Sequence, residues 1–108
     1  MDNLTIPIQV EAAVKSIDPA AKVILFGSRA RQEAQEESDW DFLILTQLAI
    51  NPELVDEIRT KLYFLELEAE QVISSVIEQK DKWEDFLNSE FYQNVQQDGI
   101  EIDELKAA

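Results

Sequence analysis

Four residues in one short stretch could do chemistry together: Gly27, Ser28, Asp39 and Asp41. They lie in residues 22–45, KVILFGSRARQEAQEESDWDFLIL, where one apolar run leads into Gly27-Ser28 and another opens at Asp39-Trp40-Asp41. Side chains of an extended strand alternate faces, so Asp39 and Asp41 share one face and Trp40 takes the other as a buried indole. Two carboxylates at that spacing suit a divalent cation. A Gly-Ser turn leaving the neighbouring strand can offer backbone N–H groups to a phosphate. The combination reads as a metal–nucleotide site.

Composition narrows the reagents. With no Cys and no His, catalysis would rest on carboxylates, hydroxyls and metal ions, and a reducing cytoplasm is the expected setting. No apolar run nears the ~18 residues of a bilayer span, and the N-terminal MDNLTIPIQV lacks a basic leader region, so neither membrane insertion nor secretion is expected. The length, 108 residues at 45% hydrophobic, predicts one domain, 1–108, around a modest core. The formal charge is −14, from 23 acids against 9 bases, with most of the excess after residue 50. Such a surface disfavours direct DNA binding and suits a basic protein partner. A solvated surface without a target is the plainer alternative.

The elements that must hold these residues alternate. Ile6, Val10, Ala13, Val14 and Ile17 predict a helix from about Thr5 to Ile17, stopped by Asp18-Pro19. KVILF (22–26) is a buried strand, Ser28 to about Gln32 one helical turn, 32–38 a polar loop and WDFLILT (40–46) a second buried strand. Asn51-Pro52 starts a helix that runs to about residue 67 on Leu54, Val55, Ile58, Leu62 and Leu65. QVISSVIE (71–78) predicts a third strand, lying inside a sheet covered on both sides. A last helical region, about 80–97, is expected to bury Trp83, Phe86, Leu87, Phe91 and Val95 and to end on a left-handed Gly99. The order α-β-α-β-α-β-α predicts an α/β or compact α+β domain.

Gly27-Ser28, ten intervening residues and Asp39-x-Asp41, with the flanking Phe26-Gly27-Ser28-Arg29-Ala30-Arg31 and Ser38-Asp39-Trp40-Asp41, resemble the signature of the polymerase-beta-type nucleotidyltransferase superfamily. The wording is similar to its small bacterial branch, the minimal nucleotidyltransferases (MNT), commonly paired with a HEPN-domain protein as toxin–antitoxin systems. The resemblance spans nearly the whole chain. It implies the nucleotidyltransferase fold, a small mixed three-stranded sheet with helices packed on it. It also implies transfer of a nucleoside monophosphate from ATP, with Mg²⁺, to an acceptor such as a partner protein. On this resemblance Gly27 and Ser28 hold the triphosphate, Asp39 and Asp41 ligate Mg²⁺, and Arg29 or Arg31 adds a phosphate contact. Either arginine could instead offset Glu33, Glu36 and Glu37.

Two positions depart from the family pattern. Alignment on Trp83 places Ser74 where active members carry a third carboxylate, and a neutral hydroxyl is a weak metal ligand and a poor base. Glu70 and Glu78 share the strand parity of Ser74 but lie four residues away, roughly 13 Å at strand rise. Gln32 replaces a glycine that would permit a left-handed turn, at a steric cost. Two functions therefore stand side by side: an Mg²⁺- and ATP-dependent transferase, or a degenerate MNT that acts by binding a basic HEPN-domain partner.

Overall fold

The computed structural model describes residues 5–35 and 37–107. Its elements are α1 (Thr5–Lys15), β1 (Lys22–Phe26), β2 (Trp40–Thr46), α2 (Pro52–Ala69), β3 (Ile73–Gln79), a 3-10 segment (Lys80–Phe86), α3 (Glu90–Asp98), β4 (Ile100–Glu101) and α4 (Ile102–Ala107). The sheet has four strands in the order β3-β2-β1-β4. β1 runs antiparallel to both β2 and β4, and β2 runs parallel to β3. The sheet is thus mixed, as expected, but gains a fourth strand of two residues.

Strand parity divides the core. Val23, Leu25, Trp40, Phe42, Ile44 and Ile73 face α1, α2 and α4, meeting Val10, Ile58 and Ile102. Ile24, Leu43 and Leu45 face the other way, onto Trp83 and Val95. β2 lies between β1 and β3, which is why Phe42, Leu43 and Ile44 are fully buried. α2 starts as its sequence dictates: Asn51 Oδ1 accepts from Leu54 N–H at 2.8 Å, with Pro52 in the first turn. It ends on Glu70 at φ 56°, beyond the expected residue 67, because a left-handed non-glycine gives no sequence signal.

Three expectations are corrected. β3 is an edge strand and not an interior one, with only Ile73 of its residues buried. The region 80–97 divides at Leu87–Ser89, where Ser89 Oγ caps α3 by accepting from Tyr92 N–H at 3.1 Å, and Phe86 and Leu87 stay exposed at the break. Gly99 has φ −66° and is not a left-handed cap. Its missing side chain answers a close approach instead, since a Cβ there would lie 2.5 Å from Val95 O and 2.9 Å from Ile24 Cγ2.

The C-terminal elements are tied to α1 by a buried carboxylate. Glu11 accepts from Lys106 Nζ at 2.6 Å and lies 3.7 Å from Lys15 Nζ. Asp18, also buried, accepts from Thr46 Oγ1 at 2.7 Å, Gln47 N–H at 2.8 Å and Ala20 N–H at 3.0 Å, fastening the start of β1 to the end of β2. Among the described residues, no helix is long and apolar enough to cross a membrane.

Candidate functional site

β1 delivers the chain into a tight turn. Gly27 takes φ 76°, and its carbonyl accepts from Ala30 N–H at 3.1 Å and Arg31 N–H at 3.2 Å. Ser28 O accepts from Glu33 N–H at 3.0 Å, closing the turn, while Gln32 adopts φ 59°. That left-handed conformation at a residue with a Cβ costs about 1–2 kcal/mol.

The carboxylates stand beside this turn. Asp41 is paired with Phe26 of β1 on one side and with Ser74 of β3 on the other. All three therefore share a face, opposite the buried Trp40. Asp39 precedes β2 on the same parity and is exposed, whereas Asp41 is half-buried. Burial, then the nearby charge of Asp39, pushes the Asp41 carboxyl above the ordinary aspartate range, and Arg31 pulls it back. A Cβ on Gly27 would come within 2.5 Å of Asp41 Oδ2, so the carboxylate occupies the space that glycine leaves open.

No group of three acids that could hold a metal ion occurs among the described residues. Ser74, directly beside Asp41, is exposed and neutral. Glu78 pairs with Leu45 at the far end of β3. Glu66 is held in α2, its Oε1 accepting from Ile73 N–H at 2.7 Å.

The two arginines part company. Arg29 donates to Ser38 O from Nε at 3.3 Å and from Nη2 at 2.9 Å, reaches Gln71 Oε1 at 3.4 Å, and lies 4.4 Å over the Trp40 ring. Its guanidinium thus clamps the loop before β2 on the Trp40 side of the sheet. Arg31 pairs with Glu33 Oε2 at 3.1 Å, and its charge reaches Asp41. Gln71, expected only as the first residue of the third strand and lying just before β3, joins both sides of the clamp by accepting from Trp40 Nε1 at 2.6 Å. Only the fold shows it, because 31 residues separate the partners.

Residues 8–103 match the family model described as a nucleotidyltransferase domain. A Methanocaldococcus jannaschii protein provisionally named as a protein adenylyltransferase is 36% identical over 78 residues, which cover 72% of this chain and 73% of that protein. The fold is similar to the crystal structure of a toxin–antitoxin with AMP-PNP, at a TM-score of 0.61 and 17% identity, covering 94% of this chain and 73% of that one. Matched over most of its length by model and relative alike, the chain belongs to the nucleotidyltransferase domain family.

Proposed function

We propose that the protein transfers a nucleoside monophosphate from ATP to a hydroxyl of a partner protein, with Mg²⁺ held by Asp39 and Asp41. The observation that carries this reading is the shared face of the two acids beside the Gly27 turn, with the Asp41 carboxylate seated against Gly27. Two carboxylates are a sufficient protein donor set for Mg²⁺, which keeps waters and takes its remaining ligands from substrate phosphates. When bound, the ion would offset the charge on the triphosphate and on the leaving pyrophosphate.

The chain's own residues do the rest. Gly27 and Ser28 offer their turn to the phosphates, and Arg31 supplies positive charge on the carboxylate side. The acceptor oxygen forms a bond to the α-phosphorus, the bond to the bridging oxygen breaks, pyrophosphate departs, and the acceptor proton passes to solvent. A protein acceptor accords with the adenylyltransferase name of the M. jannaschii relative and with the −14 charge, which repels polynucleotides. AMP-PNP in the toxin–antitoxin structure supports an adenine nucleotide as donor.

A second reading has its own observation. Ser74 stands in register with Asp41 where a further acid would activate the acceptor. This favours an MNT that binds a HEPN-domain partner as an antitoxin without turnover. Incubation with α-labelled ATP, Mg²⁺ and the product of the neighbouring gene separates the two. Label transfer that disappears in Asp39→Asn/Asp41→Asn supports the transferase. A stable complex without label supports the binding role. Undiminished transfer by the double variant refutes the proposed site, and increased transfer by Ser74→Asp assigns Ser74 to the vacant acidic position.

A further inference from the structure

β3 pairs with β2 in an unbroken register of seven residues, Trp40↔Ile73 through Thr46↔Gln79. It forms the outer edge of the sheet, and no other strand pairs with it among the described residues. Trp40 N–H donates to Val72 O at 2.9 Å. Because backbone groups of a strand point alternately to its two sides, Ser74, Val76 and Glu78 bond inward to β2 while Ser75 and Ile77 direct N–H and C=O outward. Ile73 N–H, the first outward donor, is already taken by Glu66 Oε1.

Exposed edges of this length are usually blunted by Pro, Lys, a bulge or shortness. ISSVIEQ has no Pro, no Lys and no bulge, and its one charged side chain is Glu78 near its end. The opposite edge, β4, is blunted by its length of two residues. Beside the open edge runs a groove of about 460 Å³ between α2 and β3, bordered by Arg59, Leu62, Tyr63 and Glu66 of α2 and reaching Ile73, Ser74 and Ser75 of β3. Tyr63, which lines it, is 54% exposed, and the neighbouring Phe64, whose ring centre lies 6.0 Å from that of Tyr63, is 62% exposed.

We propose that an extended, basic segment of the partner protein adds to the sheet as a strand along β3. This deepens the transfer reading, on which it rests for the identity of the bound chain as acceptor. Main-chain hydrogen bonds to Ser75 and Ile77 supply the pairing. Alternate side chains of the segment fall on opposite faces. Apolar ones cover Tyr63 and the groove, and the others pass Ser74 on the face that carries Asp41. The charge requirement follows from the carboxylates around the edge, which outnumber Arg59 in the groove: Glu66 in the groove, Glu70 capping α2, Glu78 along the strand, and Asp39 and Asp41 beyond Ser74. A second copy of this chain would bring two −14 surfaces together and is disfavoured.

The test uses a fluorescein-labelled heptapeptide alternating Lys and Val, read by anisotropy at low salt without nucleotide. Binding is expected for this peptide and not for its Glu/Val counterpart. Ser75→Pro removes an outward N–H that β2 does not use, a change that edge strands tolerate, and weakens binding tenfold or more. Tyr63→Ala, on α2, weakens it without altering the strand. Backbone N-methylation of the peptide at either the Lys or the Val positions abolishes binding, while methylation of the other set leaves it intact. Equal effects of the two methylation patterns, equal affinity for the Glu peptide, or no effect of Ser75→Pro in a folded protein overturns the proposal. So does a dimer in sedimentation that Ser75→Pro dissolves. Label transfer that proceeds while the peptide tests fail removes only the docking strand. Peptide binding that survives while Asp39→Asn/Asp41→Asn transfers label normally removes only the nucleotide site.

Discussion

Replacing Gly27 with Ala separates the strain of the turn from the position of the carboxylate. At φ 76° any residue with a Cβ is in the left-handed region, which costs about 1–2 kcal/mol. The new Cβ would also stand 2.5 Å from Asp41 Oδ2, 3.3 Å from its Cγ and 3.5 Å from its Cβ. Only the carboxylate oxygen is severely overlapped, and rotation about the side chain removes it. The stability loss should therefore be the strain alone, about 4–8 °C in Tm for each kcal/mol in a domain of this size. That loss should be the same within about 0.5 kcal/mol whether residue 41 is Asp or Ala. On the proposed site, binding should respond differently, because the rotated carboxylate leaves the face it shares with Asp39. Calorimetric titration with Mg²⁺ and a non-hydrolysable ATP analogue should show affinity reduced at least about tenfold, or about 1.4 kcal/mol. In the Asp41→Ala background the same substitution should add little. Nucleotide binding by Gly27→Ala at the wild-type level would refute this role for Gly27. That role is equally refuted if the stability cost is several kcal/mol larger with Asp41 present, since the carboxylate would then be rigidly held.

Other consequences are open to measurement. Burial raises the Asp18 pKa, but hydrogen bonds from Thr46, Gln47 and Ala20, with the charge of Lys80, outweigh it and hold the carboxyl below the ordinary aspartate range. The folded state thus favours the ionised form: its contribution is present above the unfolded pKa and is lost as pH falls through the folded one. Asp18→Asn should cost about 1.5–3 kcal/mol near neutral pH, and urea melts should show the difference from wild type shrinking on acidification. The hydrogen bond and charge of Glu11 hold Lys106 above the ordinary lysine range. Its contribution is present below the unfolded pKa and lost as pH rises through the folded one, so amide exchange at Ile102 should accelerate at strongly alkaline pH and at all pH values in Lys106→Met. Arg29→Ala should lower stability by about 1–2 kcal/mol through loss of the Trp40 contact and change Trp40 fluorescence. A full loss of nucleotide binding with unchanged stability would instead assign Arg29 to phosphate. Trp83 Nε1 is buried with no acceptor among the described residues, so Trp83→Phe should be milder than a typical core truncation, because the unpaired N–H already costs about 1–3 kcal/mol.

The local part of the design was legible because it rests on period and spacing. Alternation in WDFLILT places Asp41 opposite Trp40 whatever surrounds them, and Asn51-Pro52 starts a helix by satisfying its own first turn. The strongly apolar β1 and β2 lie where their composition indicates because both are buried by helices. What lay beyond reach depends on distant residues. QVISSVIE has the composition of an interior strand, yet it lies at the edge, since strand order is decided by which neighbours compete for β2. Two residues are too few to show a period, so β4 exists only because β1 offers Ile24 and Leu25 an outer partner. Phe86 and Leu87 are exposed because Ser89 starts a new helix whose axis carries Val95, and not them, to the sheet. At the candidate site, residue types and spacing singled out Gly27, Ser28, Asp39 and Asp41 as candidates, and the structure brings Asp41 against Gly27. The alignment on Trp83 also put Ser74 opposite the acid pair, in agreement with its register beside Asp41. Tertiary structure alone decided that the Asp41 carboxylate fills the space above Gly27 and that Arg29 clamps Trp40 and Gln71. Spacing along a chain sets which face a side chain takes; only pairing between strands sets what stands beside it.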